Sequence, residues 1–215
     1  MPLFLKHRLL LIHIPKCGGD TVTHHLRHHD DPPFLFVADG ALMVNGHTPQ
    51  HMTWHEMLQG GWVTPPGFRV AALVRHPVDR VISEFNYIKA YRPDLHASVS
   101  STALFLDEFL SDTQAAATRF DHHNLSIRKF LAGRDGEIEP SIELYPINEM
   151  DRLTESLGLG PIPPAARRNV TRGQSGTRGS AQFSPADIAR ITARYQDDIR
   201  WLGSRFPNLK SDWHL

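Results

Sequence analysis

A lysine and two glycines follow the first apolar segment of the chain, in an order typical of an anion-binding loop. The apolar run 9–14 has the length of a buried strand. It is followed, after Pro15, by Lys16, Cys17, Gly18, Gly19, Asp20 and Thr21. A helix that begins here presents unpaired amide N–H groups to an anion, and Lys16 adds a full positive charge. Because the lysine precedes the glycines and the chain contains no Gly-Lys pair, this is not a Walker A loop.

A second strand-to-helix junction carries an arginine. The apolar run 69–74 is followed by Arg75, and Pro77 then occupies the first turn of a predicted helix. The arginine fork suits phosphate oxygens, and Ser83, two turns into the same helix, can donate a hydroxyl on the face turned toward the first strand. The two junctions together predict a ligand with phosphate groups at two positions.

A third cationic segment lies nearer the C-terminus. No acidic residue occurs between Glu155 and Asp187, whereas Arg172 and Arg178 stand among Gly, Ser and Thr. On composition alone a solvated linker is the favoured interpretation.

The order of these segments resembles the sulfotransferase family. The Lys16 loop is similar to its 5′-phosphosulfate loop, and the segment 75–85 is similar to its 3′-phosphate motif, with Arg75 and Ser83 at the two binding positions. The segment 168–198 is similar to the closing segment of carbohydrate-type and bacterial members. The resemblance implies 3′-phosphoadenosine-5′-phosphosulfate (PAPS) as co-substrate, the bisphosphate PAP as product and no metal. It also implies that the loop bearing Arg172 and Arg178 is a lid over the nucleotide.

The resemblance further implies transfer of a sulfuryl group to a hydroxyl, with Lys16 neutralising the leaving phosphate. The acceptor hydroxyl needs a base, and histidine has the most suitable pKa. A Gly-His pair at His47 resembles the catalytic position of glycan 2-O-sulfotransferases, with His51 and Glu56 as local alternatives. The acceptor is expected to be a glycan or another small hydroxylated molecule.

Two residues depart from the family pattern. Asp20 stands where a hydroxyl residue is usual, and a carboxylate aimed at a phosphosulfate would weaken binding, so we expect it to turn outward. Cys17 replaces Thr or Ser and is expected to be a small apolar filler rather than a reactive thiol.

The predicted fold is α/β: one P-loop-like, three-layer domain over 1–215, with a central parallel sheet flanked by helices. Strands are predicted over 9–14, 34–37, 69–74 and 142–145, and helices over 20–29, 53–59, 78–91, 104–110 and 122–131. A last helix is predicted with Ser184 as its cap and one apolar stripe that continues to Leu202.

Composition excludes several classes of protein. Lys and Arg together number 23, as do Asp and Glu, so no overall charge favours nucleic acid. The apolar run near the N-terminus is too short for a membrane span, and one cysteine fits a reducing, cytoplasmic location. The sequence gives no prediction of oligomeric state.

Three alternatives stay open. A P-loop-type small-molecule kinase shares the strand, turn and helix, although the Gly-Lys-Ser/Thr motif is absent. A non-catalytic module for the nucleotide or an anionic glycan is the other functional alternative. The histidines 24, 25, 28 and 29 could hold zinc on one helix, but a solvated helix face is favoured there.

Overall fold

The computed structural model describes residues 1–34, 47–167 and 183–211. Within these ranges the chain forms a four-stranded sheet in the order β1 (Leu3–Phe4), β2 (Leu9–Ile12), β3 (Arg69–Val74) and β4 (Glu143–Pro146). The helices of the described ranges are α1 (Gly19–His28), α2 (Trp54–Gln59), α3 (Pro77–Tyr91), α4 (Pro93–Ser98), α5 (Thr102–Phe109), α6 (Gln114–Arg119), α7 (Ile127–Leu131), α8 (Met150–Ser156), α9 (Pro185–Arg194) and α10 (Gln196–Arg205). The predicted α/β class is confirmed, whereas the three-layer arrangement and the single domain stay predictions.

The sheet is mixed rather than purely parallel. Strand β2 pairs in parallel with β3, with Leu9 opposite Arg69 and Ile12 opposite Ala72, and β3 pairs in parallel with β4. Strand β1 pairs antiparallel with β2. The prediction of a parallel sheet is wrong at this edge, because the short turn 5–8 can join only antiparallel neighbours, whereas a parallel pair needs a long crossover.

In the part of the chain that the structure describes, buried apolar side chains form two separate clusters. The first, which we call the sheet core, contains the strands with side chains from α1, α2, α7, α8 and α10. The second, which we call the helix core, lies among α3, α4, α5, α6 and α9 and is rich in phenylalanine. The rings of Phe105 and Phe109 lie 4.8 Å apart, and those of Phe109 and Phe120 lie 5.0 Å apart. The junction between β3 and α3 therefore joins the two cores.

Most predicted elements form close to their predicted bounds. Strand β3 spans the predicted range, α3 begins one residue early at Pro77, and α2 follows Thr53, whose side chain accepts a hydrogen bond from the Glu56 amide. The strand predicted over 34–37 lies outside the described residues except for Phe34.

Two helix predictions differ from the structure. The helix predicted over 122–131 forms only as α7, because Asp121 and His122 have φ angles of 49° and 64°, which are left-handed. The last helix divides at Tyr195 into α9 and α10. The hydroxyl of Tyr195 is buried and donates to the Asn124 carbonyl at 2.7 Å, and the division lets α9 pack in the helix core while Leu202 packs in the sheet core.

Candidate active site

The Lys16 loop turns sharply between β2 and α1. Lys16 has a φ angle of 63° and Gly18 one of 94°, both left-handed, and Gly18 is the N-cap of α1. Gly19 allows a close approach, since a Cβ atom placed there would lie 2.6 Å from Cδ2 of His13. The sequence thus places the amide groups at the start of α1 around the end of β2, as the loop prediction requires.

The Lys16 side chain lies against an aromatic ring. Its Nζ atom is 3.8 Å from the centre of the Tyr87 ring, a cation–π contact with α3. Burial lowers the pKa of the Lys16 ammonium and Arg75 adds to that effect, whereas Glu84 and Asp20 oppose it. An anion bound beside Lys16 would offset the unfavourable burial of its charge.

Arg75 meets the loop from the neighbouring strand. Its Nη1 donates to the Lys16 carbonyl at 3.3 Å, so the two cations predicted from separate segments lie together at the ends of β2 and β3. Ser83, the other predicted 3′-phosphate residue, lies on α3 and is buried. Arg172 and Arg178 lie outside the described residues.

The remaining loop residues differ in their exposure to solvent. Cys17 is fully buried, and burial raises the pKa of its thiol to about 11, which supports the role of an inert filler. Thr21 is buried on α1. The Asp20 side chain is 45% exposed, with Oδ1 3.7 Å from Nε2 of His13, and therefore lies at the rim of the loop.

Arg80 was not predicted as a residue of the site, yet its side chain connects the segment before the Lys16 loop to the turn that carries His123. Arg80 is buried, donates from Nε to the Pro15 carbonyl at 3.2 Å and from Nη2 to the His123 carbonyl at 2.5 Å. In the sequence, the sign that Arg80 is buried is its position beside the apolar residues Val78, Val81 and Ile82 of the predicted helix. A guanidinium can reach two carbonyls in different directions because its donors form a fixed fork.

The predicted base, His47, is fully buried. Its Nδ1 donates to the Thr48 carbonyl at 3.0 Å, its Nε2 lies 3.2 Å from Glu56, and its ring centre is 3.8 Å from that of His122. Burial lowers the pKa of His47, but the hydrogen bonds to Glu56 and the Thr48 carbonyl outweigh it and raise the pKa. Burial raises the pKa of Glu56, yet the bonds from His47 and Thr53 outweigh it and bring the pKa down to about 2.

Two more histidine–carboxylate pairs lie near the loop. His51 Nδ1 is 2.7 Å from Oδ2 of Asp121, and His123 Nδ1 is 2.6 Å from Oε2 of Glu84. The ring of His51 meets that of His13 at 5.3 Å and that of His123 at 4.7 Å, both edge to face. Of these residues the sequence indicated only His51, because the turn that carries 121 and 123 is brought here by tertiary structure.

The sequence model of the sulfotransferase family matches residues 4–203, a range that includes the Lys16 loop, the Arg75 segment and the histidine pairs. The chain therefore belongs to the sulfotransferase family, and its activity class is sulfuryl transfer. No curated protein and no solved structure matches the chain. None of the helices in the described ranges combines the length and the apolar character needed to cross a membrane.

Proposed function

We propose that this sulfotransferase moves the sulfuryl group of PAPS to a hydroxyl of a carbohydrate or another small acceptor. The observation that carries the proposal is the convergence of Lys16 and Arg75 at the ends of two adjacent parallel strands, with Arg75 Nη1 3.3 Å from the Lys16 carbonyl. One strand end supplies the cradle for the phosphosulfate. The end of β3 supplies Arg75 for the 3′-phosphate, and α3, the helix that follows, supplies Ser83.

The transfer is an in-line displacement at sulfur. The acceptor oxygen forms a bond to sulfur, the bond from sulfur to the phosphate oxygen breaks, and that oxygen leaves with the electron pair as part of PAP. Lys16 and the amides that open α1 stabilise the developing charge, so catalysis depends mainly on position and electrostatics. Arg172 and Arg178 are proposed to close over the nucleotide. These steps require no metal.

The acceptor proton passes to a histidine, for which His47 stays the first candidate. Both of its ring nitrogens are engaged in this structure, so His47 accepts the proton only after one of them exchanges the Thr48 carbonyl or Glu56 for the acceptor hydroxyl, and the partner that remains then stabilises the imidazolium. His51, paired with Asp121, is the second candidate.

His47→Ala is expected to reduce sulfuryl transfer at least about 100-fold, the usual scale of general-base catalysis, with little change in PAP affinity. Transfer of radiolabelled sulfate from PAPS to a panel of hydroxyl acceptors measures this, with His51→Ala in parallel; loss of PAP affinity together with turnover would indicate a structural role for His47.

The nucleotide site is tested first by calorimetric titration of PAP into the purified protein. Lys16→Ala and Arg75→Ala are each expected to weaken binding by about 10- to 100-fold, since charge-assisted hydrogen bonds contribute about 1.5–3 kcal/mol. Ser83→Ala removes one hydroxyl and is expected to cost about tenfold or less.

Lys89→Ala is the matched control, because Lys89 lies exposed on α3, the same helix as Ser83. It should leave PAP affinity unchanged. Absence of PAP binding by the parent protein would contradict the proposal, and titrations with ATP and GTP would then test the kinase alternative.

A further inference from the structure

A group of metal-ligating side chains lies near the Lys16 loop. His51, Asp121 and His123 each offer a ligand atom, and these three atoms lie within 4.8 Å of one another. Two imidazoles and one carboxylate are a donor set that Zn²⁺, Fe²⁺ and related ions use in proteins, whereas Mg²⁺ and Ca²⁺ prefer oxygen alone. We propose that this 51/121/123 cluster binds one divalent transition-metal ion of the Zn²⁺ type, a site beyond the proposed sulfuryl transfer that is compatible with His47 as its base and would occupy His51, the second candidate.

The carboxylate of the cluster is held in place before any ion arrives. Asp121 accepts hydrogen bonds from the Thr48 amide at 2.6 Å and from the Thr48 hydroxyl at 2.8 Å. Its backbone is left-handed, as is that of His122, and each such residue costs on the order of 1 kcal/mol unless the surrounding structure enforces it. The turn therefore presents Asp121 and His123 together at an energetic cost, which is common at binding sites.

His123 has the outer partner that metal-binding histidines usually have. Its Nδ1 donates to Glu84 at 2.6 Å, and Glu84 is almost fully buried on α3. A carboxylate in this position fixes the tautomer and leaves Nε2 with a free lone pair. Arg80 holds the backbone of the same residue through its bond to the His123 carbonyl at 2.5 Å.

A third histidine lies beside the cluster and has a nitrogen without a hydrogen-bond partner among the described residues. His13 is 4% exposed, and its Nδ1 has no hydrogen-bond partner among the described residues. Its ring meets that of His51 edge to face at 5.3 Å. A buried polar atom without a partner is costly, so His13 is an independent sign that this part of the protein is built around a polar ligand.

Two other histidine groups fit an ion less well. His47, Glu56 and His122 also lie close together, but both nitrogens of His47 are engaged, by the Thr48 carbonyl and by Glu56. His24 and His28 lie on the exposed face of α1 with their Nε2 atoms 3.0 Å apart. That pair offers only two ligands and serves as the control site.

Calorimetric titration of ZnCl₂ into the untagged, EDTA-treated full chain tests the proposal. The parent is expected to bind one ion, and both Asp121→Asn and His123→Ala are expected to weaken that binding by about 100-fold or more. Glu84→Gln, which keeps the shape of the outer partner, is expected to weaken it by about 10- to 100-fold. His28→Ala removes the surface pair and should leave the tight ion in place.

Co²⁺ provides a second readout that needs no variant. Its visible d–d absorption should appear on binding to the parent protein and be abolished by one equivalent of Zn²⁺, so the proposal stays testable if His123→Ala fails to fold. Circular dichroism melting of each variant separates loss of the ion from loss of the fold. Absence of Zn²⁺ binding by the parent overturns the proposal. Binding that is lost in His28→Ala but kept in Asp121→Asn and Glu84→Gln also overturns it.

Discussion

At the scale of single residues, the Lys16 loop depends on how closely its backbone approaches His13. The His13 ring is buried between Gly19 on one side and the His51 ring on the other. On the Gly19 side no room is left for an added methyl group. The glycine is therefore required at this position by packing, while Gly18 is required by its left-handed backbone.

Gly19→Ala is expected to destabilise the protein and weaken PAP binding. The new Cβ would lie 2.6 Å from Cδ2 and 2.7 Å from Nε2 of His13, so the ring or the loop must move. Overpacking of this kind costs about 1–3 kcal/mol, which lowers the melting temperature by roughly 2–10 °C in a chain of this size. Thermal unfolding and PAP calorimetry measure the two effects.

Gly203→Ala is the matched control. Among the described residues, apart from its chain neighbours and the nearby backbone of its own helix, no atom lies within 4 Å of a Cβ placed at Gly203 on α10. The substitution should stabilise the protein by up to about 1 kcal/mol, because alanine favours a helix more than glycine does. An unchanged melting temperature and PAP affinity for Gly19→Ala would contradict the close packing described for this loop.

The sequence predicted the residues of the site that belong to local motifs. Lys16 and Arg75 each directly follow a buried strand, and the structure brings them together. Arg80, Asp121 and His123 were missed because their roles arise from contacts between distant segments: the bond from Arg80 to Pro15 spans 65 positions and that from Thr48 to Asp121 spans 73. Spacing within a single sequence carries no signal of such contacts.

At the scale of elements, α2 connects helix capping to the histidine group. Thr53 and Glu56 form a capping box in which each side chain bonds the backbone of the other. The same Glu56 carboxylate bonds His47 at 3.2 Å. The start of α2 and the orientation of His47 are therefore maintained by one ionised group.

Acid should weaken the fold partly through Glu56. Because the fold lowers the pKa of Glu56 to about 2 from an ordinary value of 4.5, its contribution to stability is complete above pH 4.5 and is lost as the pH falls toward 2. That contribution is on the order of 1–3 kcal/mol after allowance for partial exposure. Urea unfolding at pH 7, 4.5 and 3 should show a smaller loss for Glu56→Gln than for the parent.

Glu155→Gln, at an exposed position on α8, serves as the comparison and should follow the parent at each pH. If Glu56→Gln and the parent lose equal stability between pH 4.5 and 3, then Glu56 does not carry this part of the acid sensitivity.

Three helices with strong start signals were predicted well, whereas α4, which begins at Pro93, and α6, which Thr113 caps, were not predicted. Pro77, Thr53 and Ser184 mark helix starts in the sequence, and a helix begins at or directly after each of them. The division at Tyr195 has no proline or glycine to announce it. The division occurs because α9 packs in the helix core and α10 packs in the sheet core. The apolar periodicity of the sequence does not show that the two halves contact different cores.

At the scale of the whole molecule, the C-terminal helices stabilise a distant part of the fold. Asp198 on α10 is buried and accepts hydrogen bonds from the amides of Ile127 at 2.6 Å and Arg128 at 3.1 Å. These amides open α7, whose side chains lie in the sheet core. Asp198 therefore caps a helix that lies about 70 positions earlier in the chain.

Asp198→Ala is expected to reduce the free energy of unfolding by about 2–4 kcal/mol, because the buried Ile127 amide and the partly buried Arg128 amide lose their acceptor. Its neighbour Asp197 is exposed and pairs with Arg200 at 2.5 Å, so Asp197→Ala should cost less than about 1 kcal/mol. Chemical denaturation of both variants measures the difference. Equal effects of the two substitutions would contradict the capping role.

The pairing of β2 with β3 also determines which parts of the chain can change in length. Adjacent strands lie about 4.8 Å apart, and the register sets Ile12 opposite Ala72. Strand spacing and register together therefore determine the distance between Lys16 and Arg75. The connection that leaves one strand and returns to the other contributes nothing to that distance. Insertions in the largely exposed segment 60–67 of that connection would therefore leave both phosphate contacts in place. A single deletion inside either strand would move one phosphate contact relative to the other.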